Sequence, residues 1–177
     1  MSKQIILILF MILPLFGMAQ KTDSTIDQHQ LLGVWQVKTS KLGDALQDHY
    51  QFFANGEFVY NFSQYDDTRR VLALKGKYRL TGNKLFMSVQ SRIEITGGYF
   101  TKGSPGFQTS PFVLEGGTIE TFQQVDTTNQ HDPFFISGIM TGKTGKIIGL
   151  QIDNYKYYKI SDNPNAFNRP TSIKREN

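Results

Sequence analysis

The chain has 177 residues, a formal charge of +4 and no cysteine. Without cysteine there is no disulfide framework, no thiolate metal site and no cysteine nucleophile, so stability must come from an ordinary core, which this length supports in one domain. The positive excess is small and its Lys and Arg are scattered, with Arg69-Arg70 following Asp66-Asp67; nucleic-acid binding would want a clustered basic stripe, and no such partner is expected.

In chain order, residues 1–19 read as a secretory signal peptide. Lys3 supplies the charged start, Ile5 to Phe16 an apolar stretch broken only by Pro14, and Gly17-Met18-Ala19 the small-residue cleavage site before Gln20. The apolar stretch is too short to cross about 30 Å of hydrocarbon as a lasting helix, so no stable membrane span is expected. A lipoprotein anchor needs a cysteine at the cut. The reading is an exported protein, periplasmic or extracellular and not a lipoprotein, with one domain over 20–160 and a polar tail, without fixed structure, over 161–177.

Thr25 with Gln28 fits a capping box, which predicts a short helical turn before Gly33. Beyond it the helical period vanishes, and runs of β-branched and aromatic residues alternate with turn signals. Ten strands are predicted: Val34–Ser40, Tyr50–Phe53, Glu57–Ser63, Val71–Leu80, Lys84–Thr96, Phe112–Glu115, Thr118–Val125, Phe134–Thr141, Lys146–Ile152 and Tyr155–Ile160. The turns between them are Ala54-Asn55-Gly56, Thr81-Gly82-Asn83, Gly116-Gly117, Gly142 to Gly145 and Asp153-Asn154.

Alternation fits antiparallel strands with one wet face. Leu72, Leu74, Tyr78 and Leu80 share a face, as do Leu85, Met87, Val89, Ile93 and Ile95 on the next strand. Gly76 interrupts its apolar row, where a bend or bulge belongs. The fold class is therefore all-β: an antiparallel up-and-down meander closing into a barrel of 8–10 strands, which removes exposed edges. A β-sandwich competes; it would need long crossings, for which only the 97–111 segment is a candidate.

That segment, Gly97 to Pro111, is the longest without strand pattern, and Tyr99, Phe100 and Phe107 in it suit a lid or mouth as well as a loop tucked against the barrel. Catalytic signals are weak. His29, His49 and His131 have no zinc-motif spacing, and no serine sits in GxSxG. Gly138 to Thr144 resembles a P-loop, but it has three residues between the glycines where the motif needs four, and a strand follows it. Asp66-Asp67 lacks the spaced oxygens of a calcium loop. No enzyme activity, metal or cofactor is expected; an enzyme or haem site on His49 or His131 is the weakest option.

The aromatic pattern says more. Tyr50 and Phe52 alternate on one strand and Phe58, Tyr60 and Phe62 on the next, across the Asn-Gly turn; with Tyr78, Met87 and Met140 they line an apolar cavity or fill a core. Tyr50, Phe52, Phe58, Tyr60, Phe62, Tyr78, Met87, Tyr99, Phe100 and Phe107 are the candidate ligand-binding residues, and Gly33 and Trp35 the structural ones.

Three blocks carry a family resemblance: Leu31-Leu32-Gly33-Val34-Trp35-Gln36, the hairpin from Tyr50 to Phe58, and Gly76-Lys77-Tyr78-Arg79-Leu80 before Gly82-Asn83-Lys84-Leu85. Over about residues 31–96 the chain resembles small secreted lipocalin-like proteins of Bacteroidetes-type bacteria, within the calycin architecture. The resemblance implies that the G-x-W tryptophan closes the barrel floor against a basic residue near the last strand, a place for Arg169 or Lys159. It also implies a non-catalytic protein that holds a small hydrophobic molecule. The alternative is a protein-binding or inhibitory module with a solid barrel.

Overall fold

The computed structural model describes residues 25–41, 47–63, 65–103, 111–124 and 132–167. The signal-peptide segment, Phe107, His131 and Arg169 lie outside them. One short helix, α1 (Gln28–Leu31), precedes nine antiparallel strands: β1 (Gly33–Val37), β2 (His49–Phe52), β3 (Glu57–Asn61), β4 (Val71–Thr81), β5 (Lys84–Lys102), β6 (Phe112–Gln123), β7 (Phe134–Thr141), β8 (Ile147–Ile152) and β9 (Tyr155–Ser161). All nine belong to one sheet, and its hydrogen bonds run in a ring: β1 to β5 in sequence, then β7, β8, β9 and back to β1. The architecture is barrel-like. β6 stands outside the ring, paired with β5.

The turns follow their glycines. Gly56 (φ +76°) lets the β2–β3 hairpin close, with its N–H donating to Phe53 O at 3.1 Å. The near-P-loop sequence is a hairpin turn between β7 and β8, with the Gly142 N–H donating to Lys146 O at 2.8 Å. The helix cap differs from the expectation at Thr25 and Gln28. Asp27 is the N-cap and forms the capping box with Gln30, because a carboxylate at that position accepts the Gln30 N–H at 2.8 Å.

Gly76 does sit at a bulge. The β4–β5 register shifts between Lys75 and Gly76, and a side chain at Gly76 would run into Ser88 O and the Phe58 ring. The bulge also changes the predicted faces. Val89 stands opposite Gly76, but Ile93 stands opposite Ala73, so Ile93 and Ile95 leave the interior row of Leu85, Met87 and Val89. A second shift falls between Val71 and Ala73; Ala73, paired with Asn61 of β3, is buried, while Leu72 and Leu74 are half-buried.

The larger correction concerns 97–117. Gly97–Lys102 is strand, continuing β5, and Gly116-Gly117 lies inside β6, so the two predicted strands there are one and the total is nine among the described residues. Gly97 pairs with Gly117, and Gly97, Gly98 and Gly116 have φ of +66°, +71° and +67°. Two glycine pairs face each other and bend a ribbon without ending it. Residue 161 closes β9, and 162–167 continue as turns, with Pro164 O accepting the Gln51 Nε2 proton at 2.7 Å.

The core is built from inward residues of the ring and α1: Leu31, Trp35, Phe52, Phe58, Tyr78, Leu85, Ile136, Leu150, Ile152 and Tyr157 are all at most 5 % exposed. Among the described residues no helix is long and apolar enough to cross a membrane.

Candidate functional site

Strand alternation sends Trp35 and Val37, Tyr50 and Phe52, Phe58 and Tyr60 to the interior, and Val34, Gln36, His49, Gln51 and Asn61 to the opposite face. The outer row is nevertheless buried, and most of its amide groups bond nearby: Asn61 Nδ2 donates to Gln51 Oε1 at 2.9 Å and Gln36 Nε2 to Thr39 O at 3.0 Å, while Gln36 Oε1 has no partner among the described residues. His49, fully buried with Nδ1 2.9 Å from Gln47 O, belongs to that row and cannot serve a site inside the ring.

One end of the ring is closed. Trp35 is fully buried where β1 leaves α1, and its indole N–H donates to Leu31 O at 2.7 Å. Lys159 pairs with Trp35 across β1–β9, and its ammonium lies 5.3 Å from the indole ring. That ammonium also donates to Gln30 O at 3.1 Å and meets Asp162 at 2.8 Å, so it ties β9 to α1 across the indole. Of the two basic candidates, Lys159 lies against the indole, and Arg169 falls outside the described residues. Gly33 has φ +115°, and a side chain on it would strike Ser161 O. Both structural candidates thus sit where α1, β1 and the end of β9 meet.

From this floor a continuous series of aromatic contacts rises. Tyr78, its hydroxyl donating to Phe53 O at 2.9 Å, meets Phe52 edge-on at 4.9 Å. Phe52 stacks on Tyr50 at 5.2 Å; Tyr50 touches Phe58 at 6.3 Å, Tyr60 at 4.6 Å and Tyr157 at 5.4 Å; Tyr60 meets Phe62 at 5.1 Å. Such ring pairs add about 0.5–1.5 kcal/mol each beyond burial. Six of the predicted residues therefore form one cluster. Met87, opposite Tyr78, packs against it, half-buried.

The far end of the series is polar. Tyr60 donates to Asp48 Oδ2 at 3.2 Å, and Asp48 Oδ1 accepts the Ser63 N–H. The Tyr50, Tyr60 and Tyr157 hydroxyls are hydrogen-bonded among themselves, and burial first, then neighbouring negative charge, pushes all three well above the ordinary phenol range. Arg69, bound to Asp66 at 3.2 Å, lays its guanidinium 4.7 Å from the Phe62 ring.

Tyr99 and Phe100 are elsewhere. They lie on the β5–β6 ribbon beyond the ring, 63 % and 51 % exposed, with Phe112 at 52 %. Phe100 is covered on one side by Arg70 at 5.5 Å. They are part of neither the cluster nor a long loop. Met140 lies over Gly149, off the core cluster. Sequence reasoning missed Tyr157, Asp48 and the choice of Lys159. Alternation in β9 places Tyr157 and Lys159 on one face with Tyr155, a usable signal; a lone acid before β2 gave none.

Asp66 is occupied by Thr68 and Arg69, and among the described residues no group of three or more acidic or histidine side chains is placed to hold a metal ion. Comparison of the chain with family models, with curated proteins and with solved structures found no match.

Proposed function

We propose that this chain is an exported, non-catalytic binding protein whose lipocalin-like barrel holds a small, mainly apolar ligand. The observation that carries the reading is incomplete sealing of the interior. Tyr50, Tyr60, Leu80, Met87, Val89, Phe134, Ile139 and Ile147 pack against the core cluster, yet each keeps partial exposure. In a solid barrel, inward apolar side chains would be covered as fully as Leu85 or Leu150. The β5–β7 closure is short, two register pairs at Lys84 and Leu85, so the wall beside Met87 and Val89 is thinly joined. An apolar lining with a few hydroxyls is the usual make-up of a ligand pocket. The Trp35–Lys159 floor, with α1 across it, supports the lipocalin likeness.

The test is titration of the mature chain with N-phenyl-1-naphthylamine, a neutral apolar fluorophore. Saturable one-to-one binding is expected, abolished by Val89→Trp, which fills the interior, and unchanged by Phe100→Ser. Absence of binding, or loss only in the ribbon variant, would contradict the reading. The ribbon supports a second reading, a protein partner, because Phe100 and Phe112 share one of its faces and each is more than half exposed.

A further inference from the structure

We infer that the ligand's head group is an organic cation: an amphipathic amine whose ammonium sits against the Tyr50, Tyr60 and Tyr157 hydroxyls and the Asp48 carboxylate, its apolar body directed toward Met87 and Val89. This rests on the binding reading above and specifies its chemistry.

The polar end of the aromatic series is an acceptor site in an otherwise apolar lining. Asp48 is fixed there by Tyr60 Oη at 3.2 Å and by the Ser63 N–H, and its own carbonyl accepts the Val37 N–H at 2.9 Å, so the carboxylate is held in place without a basic side chain as its partner among the described residues. Asp48 bears on all three hydroxyls as a negative charge, and Asp153 on Tyr50 as well. This is local, since the chain as a whole carries +4. Hydroxyls held in the neutral form offer lone pairs to N–H donors, and an ammonium supplies three. Tyrosine faces add attraction for a cation. The molecule already shows that pairing at the rim, where Arg69 lies over Phe62. A carboxylate or sulfate head would meet Asp48 as a like charge.

Isothermal titration of the mature chain with dodecylamine, dodecanol and dodecanoate, each below its micelle concentration, tests the inference. The amine should bind about tenfold or more tighter than the alcohol, the range of a charge-assisted hydrogen bond, and its affinity should fall as salt is added. Asp48→Asn keeps an acceptor for Ser63 and removes the charge; it should bring amine and alcohol to similar affinities. Tyr157→Phe, which keeps the ring, should weaken the amine more than the alcohol and covers the case in which Asp48→Asn fails to fold. Equal binding of amine and alcohol, or tighter binding of dodecanoate, overturns the inference while the binding reading stands. No binding of any of the three overturns both.

Discussion

Replacing Trp35 by alanine removes the centre of the closed end. Truncating a buried aromatic costs about 3–5 kcal/mol, as transfer free energy plus the cavity left behind. Two features put Trp35 at the upper part of that range. It is fully buried between α1, β1 and β9, so little can collapse into the space, and Leu31 O loses its indole donor. Lys159 also loses the ring beneath its ammonium. A loss of about 4–5 kcal/mol would be a large part of the roughly 5–15 kcal/mol that holds a domain folded. Trp35→Phe keeps most of the ring and removes the N–H donor, for about 1–2 kcal/mol. Guanidinium unfolding should be followed by far-ultraviolet circular dichroism, because Trp35 is the only tryptophan. A Trp35→Ala variant within about 1 kcal/mol of the parent would refute the placement of this residue as the plug of the ring.

Other outcomes follow from the same geometry. Gly76→Ala forces a methyl into Ser88 O and the Phe58 ring, and should cost about 1–3 kcal/mol by the same unfolding assay. The Tyr50, Tyr60 and Tyr157 hydroxyls have folded-state pKa values raised above those of the unfolded chain, so the folded state holds these protons more tightly. Their contribution is fully present below the unfolded phenol value, about 10, and is lost as pH rises beyond it. Absorbance at 295 nm should therefore lack these three phenolates until the chain unfolds in base; full ionisation with circular dichroism unchanged would contradict it. Phe100→Ser and Phe112→Ser should each change stability by no more than about 0.5 kcal/mol, since both rings are more than half exposed.

Much of this architecture was legible because its signals are local. Asn55-Gly56 and Gly82 set hairpins whose flanking strands alternate, and Tyr50, Phe52, Phe58 and Tyr60 fall on one face by parity alone. Gly76 announced its bulge, but the same bulge moved Ile93 and Ile95 off the predicted face, since one extra residue reverses parity downstream. The Gly97-Gly98 and Gly116-Gly117 pairs misled for a different reason. Each read singly is turn punctuation; opposed across a ladder, they bend two strands together. Ring closure through β1–β9 and β5–β7 depends on pairings distant in sequence, which no local pattern reports. Asp48 was invisible because its role comes from Tyr60 and Ser63, brought to it by the β2–β3 pairing.

The central claim, that the ring takes up a small molecule, is tested most directly by native mass spectrometry of the mature protein purified without detergent or organic solvent from cells that make it. The account predicts a one-to-one small-molecule adduct that is diminished in the Val89→Trp variant. The bare protein mass alone, unchanged after incubation with excess N-phenyl-1-naphthylamine, would contradict it.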